Sequence, residues 1–318
     1  MNALVFMFSG QGSQYYQMGK ELFEYHPVFQ NWMLDLDATA YDICGQSIID
    51  HIYNENRKKS DLFDRTLYTH PAIFMVEYAL ARVLLEMGIE PDYVLGTSIG
   101  EFTSAALADV MTVEESLAAL IKQAEILETH CNDGGMLAIL HDPSLYHETP
   151  YIYENSELAS VNFHSHFVIS GQIDRLKSIA QCLKEHCISY QLLPVSQAFH
   201  SSLIDPAAEI YTEYLNQKSY KPPQIHFISC TYATVLTKIN TGYFWEVVRK
   251  PIEFQKTLRE LEKSGNYIYL DLGPSGTLAN FVKYNLPENS GSQSLAILSP
   301  FGQDLNNLRR VEREGRHL

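Results

Sequence analysis

A Gly-x-Ser-x-Gly pentapeptide, Gly96 to Gly100, places the strongest constraint on what this chain can fold into. The apolar run before it, 93–95, predicts a short buried strand, and the run after it, 101–107, is rich in helix formers. A serine between two glycines at a strand-to-helix turn is a nucleophile elbow, because the glycines permit the tight turn and leave the hydroxyl exposed. The following helix N-terminus adds partial positive charge where an oxyanion would form. The pentapeptide alone also fits a plain Gly/Ser turn without chemistry.

Length and composition set the scale of the fold. With 318 residues, 46% of them hydrophobic, the chain can bury a large core, and we expect one large domain and a smaller one. No apolar run approaches the ~20 residues that span a bilayer. The first eight residues lack a basic leader and a small-residue cleavage site. These features predict a cytoplasmic protein without a membrane segment.

Net charge and cysteine content argue against a nucleic-acid-binding protein, a disulfide-bonded protein and a metalloprotein. A net charge of −15 disfavours nucleic acid as a partner, because a phosphate backbone requires a cationic face. The basic run 57–59 fits either a solvated face or the docking of a small acidic carrier. The five cysteines show no Cys-x-x-Cys spacing, and His164 and His166 lack ligand partners nearby. We therefore expect reduced thiols and no metal.

Strand and helix patterns alternate along most of the chain, which predicts an α/β fold. Strand patterns cover 4–8, 93–96 and 267–272. One helical pattern covers 72–87, with Pro71 suited to its first turn, and a second covers 111–130 and is entered through Thr112.

After residue 131 the pattern changes to short strands. Four of them, with one helix over 174–186, are predicted at 136–140, 159–162, 167–170 and 189–195. This proportion predicts a small, ferredoxin-like α+β subdomain inserted into the larger body. The predicted boundaries are 132–198 for the insert, and 1–131 with 199–318 for the large subdomain.

A serine nucleophile needs a base and an oxyanion hole. Among twelve histidines, His200 stands out because it lies where the predicted insert rejoins the large subdomain. The oxyanion donors could be the backbone N–H of Ile99 and one from the glycine-rich loop 9–14, which follows the first strand. That loop could also bind phosphate, but it lacks the Lys-Ser/Thr ending of a P-loop and does not match Gly-x-Gly-x-x-Gly.

Together these segments resemble the malonyl-CoA:acyl-carrier-protein transacylase family, and the resemblance runs from about residue 4 to residue 285. It is specific because six motifs occur in the family's order: Phe8-Ser9-Gly10-Gln11-Gly12-Ser13-Gln14, Thr69-His70-Pro71-Ala72, Gly96-Thr97-Ser98-Ile99-Gly100-Glu101-Phe102, Val161-Asn162-Phe163, Ala198-Phe199-His200-Ser201 and Asp271-Leu272-Gly273-Pro274. The resemblance implies an α/β-hydrolase-like large subdomain with a ferredoxin-like insert. The free-standing acyltransferase-like proteins of trans-acyltransferase polyketide pathways look most similar.

The resemblance also implies roles for particular residues. Ser98 would be the nucleophile, His200 the base, and Gln11 and Ile99 the backbone oxyanion donors. A group near residue 253 would orient the histidine, and Glu253 stands there where the family usually has an amide. No cofactor is implied, since the acyl group arrives on the phosphopantetheine of acyl carrier protein or on coenzyme A.

The departures from the family concern the acyl-binding site. Malonyl-transferring members use an arginine to bind the free carboxylate, whereas Gln123 stands there in this chain and cannot supply the charge. Thr97 and His70 replace a histidine and a glutamine of the family, while Phe199 follows the malonyl-type pattern. Asn162, within a matching motif, is a further candidate substrate-binding residue.

Without the charged clamp the chain resembles the acyltransferase-like acyl hydrolases of trans-acyltransferase polyketide pathways, and this resemblance implies an editing acyl hydrolase that removes short acyl groups, such as acetyl, from stalled carrier proteins. The alternative is a trans-acting acyltransferase, transacylase-like, that loads an extender unit. Both use the same serine and histidine, so these residues do not separate them. A non-catalytic carrier-binding protein agrees less well with the intact motifs. A general α/β-hydrolase esterase leaves the loop around Gln11 unexplained.

Overall fold

The computed structural model describes residues 2–315, and the side chains of residues 2–313. Its strands are β1 (Ala3–Phe8), β2 (Tyr93–Gly96), β3 (Gly135–Ile139), β4 (Glu157–Phe163), β5 (His166–Gly171), β6 (Tyr190–Leu192), β7 (His226–Ser229), β8 (Thr234–Leu236), β9 (Tyr267–Asp271) and β10 (Gln293–Ala296). Its helices are α1 (Lys20–Tyr25), α2 (Pro27–Cys44), α3 (Ile48–Ile52), α4 (Thr66–Glu86), α5 (Gly100–Leu107), α6 (Val113–His130), α7 (Ser144–Glu148), α8 (Pro150–Tyr153), α9 (Ile173–Glu185), α10 (Ala208–Asn216), α11 (Tyr243–Arg249), α12 (Phe254–Glu262), α13 (Thr277–Asn285) and α14 (Asp304–Gly315), and a 3₁₀ turn covers Ser202–Ala207.

Six strands form the large sheet, in the order β10-β9-β1-β2-β7-β8. All neighbours in it are parallel except β7 and β8. The central strand β1 is an apolar run buried on both faces, as expected for a strand covered by helices on each side. Because β1 and β2 are parallel neighbours, with Phe8 opposite Gly96, the loops that follow them emerge at the same sheet edge.

Four antiparallel strands form the small sheet, in the order β4-β5-β3-β6. Together with its helices this arrangement confirms the predicted ferredoxin-like insert in an α/β fold. Helix α9 packs on one face, where its residues join the apolar side chains of β3 and β5. Backbone hydrogen bonds from Val161 and Ile252, at 3.1 and 2.8 Å, tie β4 to the segment before α12. The insert is thereby fastened to the large subdomain beside the site.

Several predicted elements differ from the structure. Helix α4 begins at Thr66, not at residue 72, so Pro71 lies inside the helix, where burial of nearly the whole helix outweighs the lost hydrogen bond. Strand β6 covers only part of 189–195. Strands β7, β8 and β10 were not predicted, because two of them are edge strands with little buried surface. The predicted subdomain boundaries stay a prediction.

Candidate active site

The serine turn is compressed between two backbones, and this explains its glycines. Ser98 has a φ of 52°, a left-handed conformation that a serine adopts only under constraint. A Cβ at Gly96 would lie 2.3 Å from the Glu101 backbone nitrogen, and one at Gly100 would lie 2.2 Å from the Phe8 carbonyl oxygen. Neither backbone atom can move aside easily. The two glycines therefore allow α5 to start directly against the end of β1.

Ser98 and His200 form a hydrogen-bonded pair. The Ser98 Oγ lies 3.0 Å from His200 Nε2, and His200 Nδ1 lies 2.7 Å from the Lys250 carbonyl oxygen. A carbonyl can only accept, so Nδ1 carries the hydrogen and Nε2 is free to accept the serine proton. His200 also has a left-handed φ of 59°, and its backbone N–H donates to the Val248 carbonyl at 2.9 Å. This geometry suits a serine nucleophile and its general base.

Burial lowers the pKa of His200 to about 4, because the charged imidazolium would lose its solvation. The bond to the Lys250 carbonyl opposes this shift, and the positive charge of Arg249 adds to it. His200 is only 2% exposed and Ser98 only 5%. The imidazole is therefore neutral near pH 7, the form a general base requires.

Glu253 does not orient His200, so this expectation is wrong. Its backbone N–H donates to the Cys230 carbonyl at 2.8 Å, and its carbonyl accepts from Thr257. The Lys250 carbonyl takes the position instead, since α11 ends at Arg249 and the chain turns extended before Pro251. A backbone acceptor of this kind leaves no signature in side-chain identity.

The two expected oxyanion donors lie on the loops that meet at Ser98. Ile99 caps helix α5, and Gln11 follows Gly10, whose Cβ position is 3.0 Å from the Ser98 Cβ. The Gln11 side chain is held away from the serine, because its Nε2 donates to the Thr69 hydroxyl at 2.6 Å. Within residues 2–315 neither backbone N–H donates to a protein acceptor. Both remain available for an oxyanion.

A cavity of about 360 Å³ opens beside the pair, between the large sheet edge and the free face of the small sheet. Six of the expected residues line it: Gln11, Thr97, Ser98, Asn162, Phe199 and His200. Thr97 is held by its backbone N–H, which donates to the Phe8 carbonyl at 2.9 Å. The structure thus brings together expected residues from four separate parts of the chain.

His70 and Gln123 are buried behind the cavity wall and do not line it. The His70 ring lies against Phe199, with 5.5 Å between ring centroids, and burial lowers the pKa of His70 to about 3. Gln123 is only 1% exposed, beside the Tyr211 hydroxyl, which donates to the Ala119 carbonyl at 3.1 Å. No hydrogen bond of normal geometry reaches the His70 ring or the Gln123 amide from the described residues. Both side chains are therefore buried, polar and uncharged near neutral pH.

The sequence reasoning missed His166 as a cavity residue. Its Nδ1 lies 3.0 Å from the Asn162 amide nitrogen, and the Asn162 amide oxygen accepts from the Ser160 hydroxyl at 2.6 Å. All three side chains line the cavity. Because residues two apart on a strand share a face, the polar pair Ser160 and Asn162 in an otherwise apolar strand was a signal for this wall.

Comparison with known proteins decides the family. A family model described as "Acyl transferase domain" matches residues 5–316. The chain belongs to the acyl transferase domain family. It is 50% identical to the polyketide biosynthesis acyltransferase homolog PksD of Bacillus subtilis over 309 residues, covering 97% of this chain and 95% of that protein. The homolog BaeD of Bacillus velezensis is 48% identical with the same coverage, 97% and 95%.

Solved acyl transferases share the fold. The MCAT of Streptococcus pneumoniae has a TM-score of 0.79 at 25% identity, covering 98% of this chain and 99% of that one. A loading acyltransferase from the avermectin modular polyketide synthase has a TM-score of 0.89 at 21% identity, covering 99% and 100%. In this member of the family, residues 2–315 contain no helix long and apolar enough to cross a bilayer. The same residues hold no cluster of His, Cys, Asp and Glu suited to a metal ion.

Proposed function

We propose that this acyl transferase family member hydrolyses short neutral acyl groups, such as acetyl, from acyl carrier proteins of polyketide biosynthesis. The observation that carries the proposal is the neutral cavity: within the described chain its lining contains no Lys, Arg, Asp or Glu. Its titratable groups are His166 and His200, and burial lowers the pKa of each to about 4. Placing a malonyl carboxylate there unpaired would cost several kcal/mol.

The chemistry follows from the hydrogen-bond pattern. Ser98 Oγ attacks the thioester carbonyl while His200 Nε2 takes its proton, and the departing thiolate of the carrier then receives that proton. The Gln11 and Ile99 backbone N–H groups would stabilise the oxyanion. A water then attacks the acyl-serine, with His200 again as base, and releases the carboxylic acid. His200 Nδ1 stays bonded to the Lys250 carbonyl throughout.

Transfer to a second carrier is the alternative fate of the acyl-serine. The names of the two Bacillus relatives, acyltransferase homologs of polyketide biosynthesis, favour this second candidate. Both candidates share the first step and differ in whether water or a thiol attacks in the second. The polyketide context is supported by the same relatives. In either case, the neutral cavity favours a neutral acyl group over one that carries a carboxylate.

The test follows the intact mass of acetyl-loaded and malonyl-loaded carrier protein with the parent and with Ser98→Ala. We expect serine-dependent loss of acetyl and at least tenfold slower loss of malonyl. Acyl exchange that requires a second, unloaded carrier would establish transfer instead. Equal loss of acetyl and malonyl would refute the neutral-substrate proposal.

A further inference from the structure

Glu77 is a fully buried carboxyl group that the proposed chemistry does not use. It lies in the middle of helix α4 and has no exposed surface. Its Oε1 accepts the Ser9 backbone N–H at 2.6 Å and lies 2.9 Å from the Ser9 hydroxyl. Its Oε2 accepts the Thr103 hydroxyl at 3.0 Å. A buried ionisable side chain is costly, so its contacts call for an explanation.

These contacts join the two segments that hold the expected oxyanion donors. Ser9 precedes Gly10 and Gln11, while Thr103 lies on α5, the helix capped by Ile99. The loop is fixed further by the Ser13 hydroxyl, which donates to the Gly10 carbonyl at 2.8 Å. The Glu77 carboxyl group on α4 therefore links the loop after β1 to helix α5. We propose that Glu77 is a positioning residue that fixes the Gln11 and Ile99 N–H groups relative to each other.

The hydroxyl of Ser9 has one hydrogen and two neighbouring acceptors. The Ser13 hydroxyl uses its own hydrogen on the Gly10 carbonyl, so it can only accept from the Ser9 hydroxyl, 2.9 Å away. The Ser9 hydroxyl is also the donor toward Glu77 Oε1 at 2.9 Å, so the Ser13 hydroxyl and the Glu77 carboxyl share one hydrogen. Burial raises the pKa of Glu77 well above its usual range, with the negative charge of Asp271 adding to the shift. A neutral carboxyl positions the loop without placing negative charge behind a developing oxyanion.

The experiment measures how fast a fluorophosphonate labels Ser98. In that reaction Ser98 Oγ attacks phosphorus, fluoride leaves, the serine proton passes to His200, and the phosphoryl oxygen occupies the oxyanion site. We expect Glu77→Leu to slow labelling by about 10- to 100-fold, up to the loss seen when one oxyanion donor is removed. Glu77→Gln, which stays neutral and can donate and accept, should remain within about threefold of the parent.

Two further variants keep the result interpretable. Thr103→Val removes only the link to α5 and should slow labelling by about three- to tenfold. If Glu77→Leu does not fold, Thr103→Val decides, and a parental rate for it overturns the proposal. Leu84→Ala, a fully buried change further along α4, controls for general destabilisation. A labelling rate reduced as much in Leu84→Ala as in Glu77→Leu would assign Glu77 a purely structural role and overturn the proposal.

A kinetic readout separates positioning from binding. With acetyl-CoA as substrate we expect Glu77→Leu to lower kcat while KM stays within about twofold, because the oxyanion forms only after substrate has bound. A change confined to KM contradicts the proposal. The inference rests on the proposed serine chemistry but not on its acyl substrate. If the parent is labelled at Ser98 yet leaves acetyl-carrier intact, the proposed function fails while the labelling test of Glu77 stands.

Discussion

His200 is held by a backbone carbonyl, and this sets its acid–base behaviour. A carboxylate partner would stabilise the imidazolium that forms when Ser98 loses its proton, whereas the Lys250 carbonyl offers only a dipole. With burial dominant, the pKa of His200 is lowered to about 4. The base is thus present in its active form over a wide range of pH. Its rigid placement, with the left-handed backbone held by Val248, offsets the absent counter-charge.

We expect kcat/KM for acetyl-CoA to be flat from about pH 5.5 to 8 and to fall with a midpoint near pH 4. A lowered pKa means that protonation, which removes the base, occurs only as the pH drops through that value. The measurement is a pH–rate profile of the parent. After each point the enzyme is returned to neutral pH and assayed again, to exclude acid inactivation. A midpoint near 6.5, the ordinary value for histidine, would contradict it.

At the scale of elements, the site depends on how closely α5 approaches β1. Backbone meets backbone at this junction, with the Gly100 Cβ position 2.2 Å from the Phe8 carbonyl oxygen. The loop after β1 is also close to the turn, since a Cβ at Gly10 would lie 2.9 Å from the Thr97 carbonyl oxygen. Any added side-chain atom must push the strand end and the helix start apart. Nucleophile and oxyanion loop would then separate.

Gly100→Ala should therefore lose Ser98 reactivity and destabilise the protein by about 1–3 kcal/mol, the usual cost of overpacking. Gly242→Ala is a matched control, because its Cβ would make only an ordinary 3.7 Å contact with Asn240. Thermal unfolding and fluorophosphonate labelling of Ser98 measure the two effects. Parental labelling in Gly100→Ala would show that the close approach is not needed for reactivity.

At the scale of the whole molecule, the packing of the two sheets keeps three histidines neutral, two in the cavity and one outside its lining. Burial lowers the pKa of His70 to about 3 and that of both His166 and His200 to about 4. In the unfolded chain these groups would bind protons below about pH 6.5. The unfolded state therefore gains protons on acidification before the folded state does. For these groups, stability is intact above pH 6.5 and declines toward pH 4.

His166→Gln tests this coupling. At pH 7 we expect little change, since glutamine can keep the bond to Asn162. At pH 4.5 the free energy of unfolding of the parent should be lower than that of the variant by about 2–3 kcal/mol. This is the free-energy equivalent of a pKa lowered from about 6.5 to about 4. Urea unfolding at both pH values provides the measurement. A constant difference between the two proteins across this range would contradict the prediction.

Local sequence pattern was sufficient to predict the serine turn and the start of helix α6. The Gly96–Gly100 pentapeptide predicted the elbow, and Thr112 predicted the start of α6, where the structure has a capping box with Glu115. The start of helix α4 differs from the prediction because proline usually lies in a first turn, whereas Pro71 lies inside a helix whose burial outweighs the lost hydrogen bond. No local sequence rule identifies the group that orients His200, so the expectation for Glu253 had no such support. The partner of a histidine ring is fixed by how separate segments pack.

The sequence by itself determined the fold and the pairing of Ser98 with His200, because these depend on residue type and order. Only the tertiary structure decided that the Lys250 carbonyl orients His200, that His166 and Asn162 form the far wall of the cavity, and that Glu77 joins the two oxyanion segments. Backbone carbonyls and buried carboxyls act through position. The relative positions of segments far apart in the chain are set only when the sheets pack together.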